Sequence, residues 1–469
     1  MAQSDLAVVG GSVWTPDGFM DSHDVLISGE SIAEVVPSGS TSTGKGEIID
    51  AEGLLVIPGL IDTHSHHREP GFTHKEDIAS ASRAAAVGGV TVTVGMPNVD
   101  PPTTTVERFE EVLTRYAQSS VVDYNHNPSP TNLAEIPGMA GLGCLGFKLF
   151  MVVDGKRSYP HMPGLGIHDH ADIARILEVT SQTGRPLMVH PNDQALLELI
   201  EHRHWEAESL GPEPYSKAEW MFDGAVWNSA VATLIEIQRG VGGPLHILHM
   251  MSDRTVELIR RAKGDGQDVT AEVNAFALFL GDWQEVAHLG PYALGRCLKD
   301  EWRAALWSGI VDGTIDVLGT DHAPHTKEEK EPGWKNMWAT PTGTPQLQHY
   351  LSKLLDASHR DLISLDGLVR LTSYNPAKRF GLYPKKGTIE RGADADLVLV
   401  DYDREYESGV EEVVYSKAGY NPYAGQSLRG RPVMTLVRGQ VVAKDGRAVG
   451  NPGYGKQAVP VTPGLGGNQ

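Results

Sequence analysis

The sequence contains little cysteine and little positive charge. Cys144 and Cys297 are the only two cysteines among 469 residues, so no disulfide framework is expected and a reducing compartment is the natural one. Lys and Arg number 40 against 60 Asp and Glu, which gives a formal net charge of −20. This acidic balance argues against nucleic-acid partners and against anionic membrane surfaces, because both are bound through a basic patch.

Long apolar runs are lacking as well. No uninterrupted apolar stretch is long enough to span a bilayer, and residues Met1–Leu6 lack the basic and apolar regions of a signal peptide. The content of 40% hydrophobic and 21% charged residues is ordinary for a globular enzyme. Together these features predict a soluble, cytoplasmic protein with no membrane partner.

Short β-rich segments occur at both ends of the chain. The segment 6–9 near the start and the segment 395–400 near the end are alike in their β-branched residues and their Gly and Asp flanks. The economical prediction is a small β-sandwich domain built jointly from residues 1–57 and 385–450. Residues 451–469 are rich in Gly and Pro, so we expect an irregular tail that is a candidate oligomer contact.

The middle of the chain, residues 58–384, alternates between strand-like and helix-like segments. Val90–Val94 and Leu187–His190 read as strands, whereas 106–119 and 171–183 read as helices. Such regular alternation predicts an α/β fold with a (β/α)8 TIM barrel. A doubly wound open sheet is the main alternative, but no glycine-rich phosphate fingerprint follows a strand.

Metal-binding side chains recur where these strands end. His64 and His66 are two residues apart at a strand end, so they project from one face. An isolated His-x-His pair usually only caps a strand. Whether this pair belongs to a metal site therefore depends on further candidate ligands. They stand at the ends of later strands: Lys148, His190, His249 and Asp321. Histidines with one carboxylate suit Zn²⁺ or a similar first-row ion. A lysine fits beside cations if CO2 converts its amine to a carbamate.

The sequence around these residues resembles the cyclic amidohydrolases, a group within the amidohydrolase superfamily that includes dihydroorotase, allantoinase, hydantoinase and dihydropyrimidinase. The segments that carry the resemblance follow in the order of that group and span essentially the whole chain: Asp62–Gly71, His74–Asp77, Gly88–Thr91, Met96–Asn98, Gly146–Lys148, Gly319–His325 and Gly387–Leu397. The resemblance implies a metal-dependent enzyme that opens a cyclic amide or imide ring by hydrolysing its C–N bond.

The same resemblance implies two divalent metal ions per subunit, with Zn²⁺ ahead of Mn²⁺ or Co²⁺. His64, His66 and Asp321 would bind one ion, and His190 and His249 the other. Lys148, as N6-carboxylysine, would bridge them together with a hydroxide, and Asp321 would also be the catalytic acid and base. Relatives of this kind act on small molecules and suggest a homodimer or homotetramer.

The identity of the ring is less determined. Arg68 and Asn98 match residues that bind a substrate carboxylate in dihydroorotase, and His325 is placed like a third such residue. The segments Lys330–Lys335 and Phe380–Gly387 instead resemble L-hydantoinase-type enzymes. A hydantoin-type ring is therefore favoured, with dihydroorotase and allantoinase as the alternatives. Dihydropyrimidinase is disfavoured, because Val153 stands where it has a tyrosine that donates to the intermediate.

Two expected pocket loops depart from the pattern of the group. Gly295–Lys299 replaces a Pro-Pro-Leu-Arg segment, and Thr342-Gly343 replaces an Asn-Gly pair that reads the ring amide. Arg296 and Thr342 are therefore candidate substrate-binding residues, although an arginine at the surface is the default interpretation. An exocyclic amidase or deaminase on the same barrel and a non-catalytic scaffold homologue are minor alternatives. The scaffold is disfavoured because all six ligand positions are filled.

Overall fold

The computed structural model describes residues 4–40, 46–152, 164–293, 295–410 and 412–461. Its strands are β1 Leu6–Thr15, β2 Gly18–Ser28, β3 Ser31–Pro37, β4 Glu47–Asp50, β5 Leu55–Pro58, β6 Leu60–Ser65, β7 Val90–Gly95, β8 Asp123–His126, β9 Phe147–Phe150, β10 Leu187–His190, β11 Leu245–Ile247, β12 Val269–Asn274, β13 Val317–Gly319, β14 Leu397–Glu407, β15 Ser427–Val437, β16 Gln440–Lys444 and β17 Arg447–Ala448.

The helices alternate with the central strands. They are α1 Ile78–Val87, α2 Val106–Ser119, α3 Ile136–Gly141, α4 His170–Ser181, α5 Gln194–Glu206, α6 Pro212–Ser216, α7 Ala225–Val241, α8 Asp253–Gly264, α9 Ala275–Phe279, α10 Trp283–Leu289, α11 Asp300–Val311, α12 Lys327–Lys330, α13 Tyr350–His359, α14 Leu365–Val369 and α15 Asn375–Arg379. None of these helices combines the length and the apolar character that crossing a bilayer requires.

Strands from both ends of the chain form one hydrogen-bonded sheet, with the order β17-β16-β15-β14-β5-β1-β2-β3 and β4 beside β1. The two ends meet where β5 pairs antiparallel with β14. Apolar side chains from both ends, such as Val8, Val25, Leu397 and Leu436, form a common core. The prediction that the two termini build a single β domain is confirmed.

The chain leaves this sheet for the barrel at Pro58-Gly59, between β5 and β6. The backbone N–H of Gly59 donates to the carbonyl of Asp396, with a donor–acceptor distance of 2.9 Å. The side chain of Thr91 packs so closely against Gly59 that a Cβ at this position would overlap it. A glycine is therefore required where the chain passes from one sheet to the other.

Eight parallel strands form the barrel as a three-stranded sheet, β6-β7-β8, and a five-stranded sheet, β9 to β13. Single backbone hydrogen bonds bridge the two seams between these sheets. The N–H of His66 donates to the carbonyl of His322 at 2.7 Å, and the N–H of Lys148 donates to that of Pro128 at 3.0 Å. The strand count and the intervening helices agree with the predicted (β/α)8 barrel.

Two barrel strands differ from the sequence prediction. The apolar pair Val121-Val122 predicts a short strand there, whereas β8 occupies Asp123–His126. The sequence pattern predicts no strand at the position of β12, Val269–Asn274. Both strands carry buried polar side chains, including Asn125 and Glu272. Apolar runs identify buried strands, so strands whose polar residues face the barrel interior escape that criterion.

Candidate metal centre

The carboxyl ends of the barrel strands surround a cavity of about 90 Å³, which is room for several water molecules or a small ring. All six residues predicted as metal ligands line this cavity: His64, His66, Lys148, His190, His249 and Asp321. They come from strands that are far apart in sequence, and the parallel barrel brings their ends to one mouth. The side chains predicted to act together therefore lie together.

The two histidines of the first strand meet Asp321 across the seam of the barrel. Ligand atoms of His64, His66 and Asp321 all lie within 4.8 Å of one another. The distance from Asp321 Oδ1 is 3.1 Å to His66 Nε2 and 3.4 Å to His64 Nε2. The rings of His190 and His249 lie beside this group, with centroids 4.5 Å apart. This arrangement of imidazoles and a carboxylate fits a first-row metal ion.

Two buried polar atoms at the centre test this fit. His64 Nε2 and Lys148 Nζ have no hydrogen-bond partner among the described residues, and such atoms are costly in a folded protein unless a ligand satisfies them. Burial lowers the pKa of His64 and His249 well below the usual range, which favours the neutral imidazoles that bind metals. Burial also lowers the pKa of Lys148 to about 7, so its neutral amine is accessible to CO2.

Residues of β12 orient two of these histidines. His64 Nδ1 donates to Glu272 Oε1 at 2.7 Å, and His249 Nδ1 donates to Asn274 Oδ1 at 2.7 Å. These bonds leave each Nε2 with the lone pair that a metal requires. Neither Glu272 nor Asn274 was predicted as a site residue. The polar residues Thr270, Glu272 and Asn274 do alternate with apolar ones, which is the pattern of a half-polar strand.

The backbone is strained at two predicted ligands. His249 has φ 59° and Asp321 has φ 45°, both in the left-handed region. Non-glycine residues occupy this region at a free-energy cost, and the surrounding structure has to hold them there. The fold therefore fixes these two side chains at the cavity instead of leaving them to adapt.

The predicted substrate-binding residues divide into two groups. Arg296 and Thr342 line the cavity, whereas Arg68, Asn98 and His325 are not among the lining residues that the structure describes. Asn98 Oδ1 accepts from His66 Nδ1 at 2.8 Å, so its amide orients a predicted ligand. Arg68 donates to His325 Nε2 at 3.2 Å inside a buried network. Val153, the residue that disfavours dihydropyrimidinase, lies outside the described residues.

Comparison with known proteins decides the family. The model of the amidohydrolase family matches residues 55–442. The chain belongs to the amidohydrolase family. Amidohydrolases typically bind divalent metals, and the His64, His66 and Asp321 cluster is capable of holding one.

Relatives match this amidohydrolase along nearly its whole length. An L-hydantoinase of Paenarthrobacter aurescens is 30% identical over 460 residues, covering 96% of this chain and 97% of that protein. An allantoinase of Rubrobacter xylanophilus is 33% identical over 466 residues, covering 96% and 97%. A dihydroorotase of Lactobacillus gasseri is 32% identical over 437 residues, covering 92% and 97%. The resemblance to the cyclic amidohydrolases is confirmed.

The solved structures agree with the sequence relatives. An L-hydantoinase (dihydropyrimidinase) from Arthrobacter aurescens superposes with a TM-score of 0.90 at 30% identity, covering 97% of this chain and all of that one. A D-hydantoinase structure has a TM-score of 0.86 at 26% identity, covering 97% and 98%. The predicted fold class is confirmed.

Proposed function

We propose that the protein hydrolyses the C–N bond of a cyclic amide or imide and so opens the ring, with a hydantoin-type ring favoured. The observation that carries this proposal is the convergence of all six predicted ligands on one cavity. The relatives that match over nearly the whole chain are an L-hydantoinase, an allantoinase and a dihydroorotase. They bear out the prediction of a hydrolase that acts on cyclic amides.

The proposed cofactor is a pair of divalent metal ions, with Zn²⁺ ahead of Mn²⁺ or Co²⁺. His64, His66 and Asp321 would hold one ion, His190 and His249 the other, and Lys148 as N6-carboxylysine would bridge them. When bound, such ions lower the pKa of water and polarise the scissile carbonyl. Lys148 Nζ is buried and has no hydrogen-bond partner among the described residues. This supports the carboxylation, because a carbamate would replace an unsatisfied donor by an anionic group that can bind metal.

The remaining chemistry belongs to the side chains around the cavity. A carboxylate oxygen of Asp321 would accept a proton from the attacking water and return it to the ring nitrogen that leaves. The backbone of Asp321 has φ 45°, a costly conformation that the surrounding structure has to hold. Phe150, Trp227 and Phe276 line the same cavity, and such apolar walls limit the access of bulk water to the reacting ring.

Substitution of the proposed acid and base tests this function. Metal-loaded protein would be assayed on 5-substituted hydantoins of each hand, allantoin, dihydroorotate, dihydrouracil and succinimide. Asp321→Asn is expected to reduce kcat by roughly 10³-fold, since proton transfer contributes on that order. The control Asp300→Asn changes a side chain that is 98% exposed and is expected to keep full activity.

The outcomes separate the alternatives. Near-normal activity of Asp321→Asn would refute its catalytic role. Activity on dihydroorotate or allantoin alone would transfer the assignment to that alternative, and activity on no ring would reject ring opening. About two metal ions per subunit are expected by elemental analysis, whereas a scaffold homologue would bind none.

The compartment and the assembly state are also proposals. A cytoplasmic location is supported by Cys144 and Cys297, which are both free and buried, as suits a reducing environment. A homodimer or homotetramer is the proposed assembly, as the resemblance to the cyclic amidohydrolases implies. Light scattering of the purified protein would give the subunit number directly.

A further inference from the structure

Arg296 lies in the wall of the cavity, on the loop that precedes α11. Gly295, just before it, has φ 93°, and a Cβ there would lie 2.9 Å from the ring of Tyr215. Both the backbone conformation and the close approach favour glycine. The N–H of Cys297, just after it, donates to the carbonyl of Ser216 at 2.9 Å. The loop is thus fixed on both sides of Arg296.

The guanidinium of Arg296 is held by two neighbours. Its central carbon lies 4.9 Å from the centroid of the Tyr215 ring, a cation–π contact. Its Nη2 lies 3.9 Å from Glu219 Oε1, which is beyond hydrogen-bond distance. Glu219 therefore balances the charge of the guanidinium, but its carboxylate is too far away to accept the hydrogen bonds of Nη2.

One donor group of this guanidinium has no acceptor among the described residues. Arg296 Nη1 is buried and has no hydrogen-bond partner within the described part of the chain, while the side chain as a whole is 16% exposed. An arginine presents its N–H groups as a rigid fork that matches a carboxylate. A buried donor without a partner costs free energy, and an anion bound beside the guanidinium would offset part of that cost.

Among the described lining residues, few other groups could bind an anion. The uncharged part of the described lining is largely apolar: Phe150, Val152, Leu197, Trp227, Met251 and Phe276. Lys148 is the one lysine and Arg296 the one arginine of that described lining, and Lys148 is assigned to the metal centre. Arg68, the other candidate for an anion, donates to His325 outside the lining. An anionic group on a bound ring would therefore pair with Arg296.

We infer that the substrate is a cyclic amide or imide that bears a carboxylate substituent, and that Arg296 binds this carboxylate and sets the specificity. The inference rests on the proposed function, because ring opening would take place at the metal-binding residues of the same cavity. The carboxylate would meet the guanidinium where the side chain, which is 16% exposed, borders the cavity, and the apolar walls would strengthen the pairing by excluding water.

A pair of ligands with matched shapes tests the inference. Hydantoin-5-acetate and its neutral primary amide differ in charge and little in size. Metal-loaded wild-type protein is expected to hydrolyse the acid with the higher kcat/KM. Arg296→Gln is expected to reduce kcat/KM for the acid by about 100-fold, mainly through KM, because the loss of a charge pair in a cavity costs on that order. The amide should change by less than about threefold, and Arg296→Lys should retain part of the preference.

Calorimetric titration of both compounds into the same proteins provides a second measurement. The acid should bind more tightly than the amide to wild type but not to Arg296→Gln. Arg303→Gln is the matched control, since Arg303 lies on α11 outside the described lining and faces Asp282 and Asp300. It should behave as wild type in both measurements.

The two measurements keep the two proposals apart. Ring opening without a preference for the acid, or an equal loss on both compounds in Arg296→Gln, would overturn the role of Arg296 and leave the proposed function standing. Arg296-dependent binding of the acid without turnover of any ring would support the carboxylate site and refute ring opening. Equal binding of acid and amide by wild type would overturn the inference whatever the activity.

Discussion

At the scale of single residues, the orientation of the proposed metal ligands depends on partners that lie outside the described cavity lining. His64 donates to Glu272, His249 to Asn274 and His66 to Asn98. Each bond fixes the ring and the tautomer of a histidine, so that Nε2 faces the cavity with its lone pair. Glu272 is fully buried, and burial raises the pKa of its carboxyl group.

Glu272→Gln is expected to weaken metal binding by about 10- to 100-fold, as other changes of groups that orient metal-binding histidines do. The amide preserves the shape of the side chain but replaces the charged acceptor of His64 by a neutral one. Retention of metal against a chelator series measures the effect. Glu236→Gln, at an exposed position of α7, is the control, and equal retention by both variants would contradict the role of Glu272.

The convergence of the proposed ligands on one cavity could be predicted from the sequence, because they stand on or just after successive strands in the order that the cyclic amidohydrolases have. Glu272 and Asn274 could not, because polar and apolar residues alternate in β12 and no apolar run marks it as a buried strand. The surroundings of Arg68 also could not be predicted. Arg68 has φ 60° and is buried, and local spacing does not reveal that its guanidinium turns to His325.

At the scale of elements, the sharpest constraint is the passage from β5 to β6. The apolar residues around Pro58-Gly59 predict two extended segments with a break between them, and the structure has this break. The sequence does not reveal that the two segments belong to different sheets. That depends on β14, whose Leu397 pairs with Pro58 from the other end of the chain.

Gly59→Ala is expected to lower the free energy of unfolding by about 1–3 kcal/mol, because the added methyl group overlaps Thr91 in a packed interior. Thermal or denaturant unfolding measures the loss. Thr91→Ala in the same chain should restore part of it by removing the nearest side-chain atoms. Gly141→Ala is the control, since a Cβ at Gly141 meets nothing within 4 Å. A melting temperature of Gly59→Ala equal to that of wild type would contradict the overlap.

At the scale of the whole molecule, a buried ion network joins the barrel to the terminal sheet. Asp123 begins β8, and its carboxylate contacts Lys386 Nζ at 2.5 Å and the guanidinium of Arg438. Lys386 Nζ also lies 2.7 Å from Asp396 Oδ2. Burial alone would lower the pKa of Lys386, but Asp396 and Asp394 raise it above its usual value. The lysine therefore stays charged, and the neighbouring carboxylates compensate its buried positive charge.

Asp123→Asn is expected to destabilise the protein by about 3–5 kcal/mol, because it leaves buried cations with too little compensating charge. Denaturant unfolding followed by fluorescence and by circular dichroism would measure the loss. It would also show whether barrel and sheet unfold in one transition in the variant and in wild type. The exposed Asp300 supplies the matched Asp300→Asn control. A stability equal to wild type would show that the network contributes little to the coupling of the two domains.

The seam of the barrel at His66 and His322 has a consequence for how the protein is made. The histidines on one side of it are synthesised early, and Asp321 on the other side follows more than 250 residues later. At about 5–20 residues per second, this delay is on the order of 10–50 s. The delay between the synthesis of β5 and that of its partner strand is longer still, because β14 begins at Leu397. A nascent chain that has not yet reached Asp321 lacks part of the proposed ligand set, so metal ions would bind the complete set only after that residue has been synthesised.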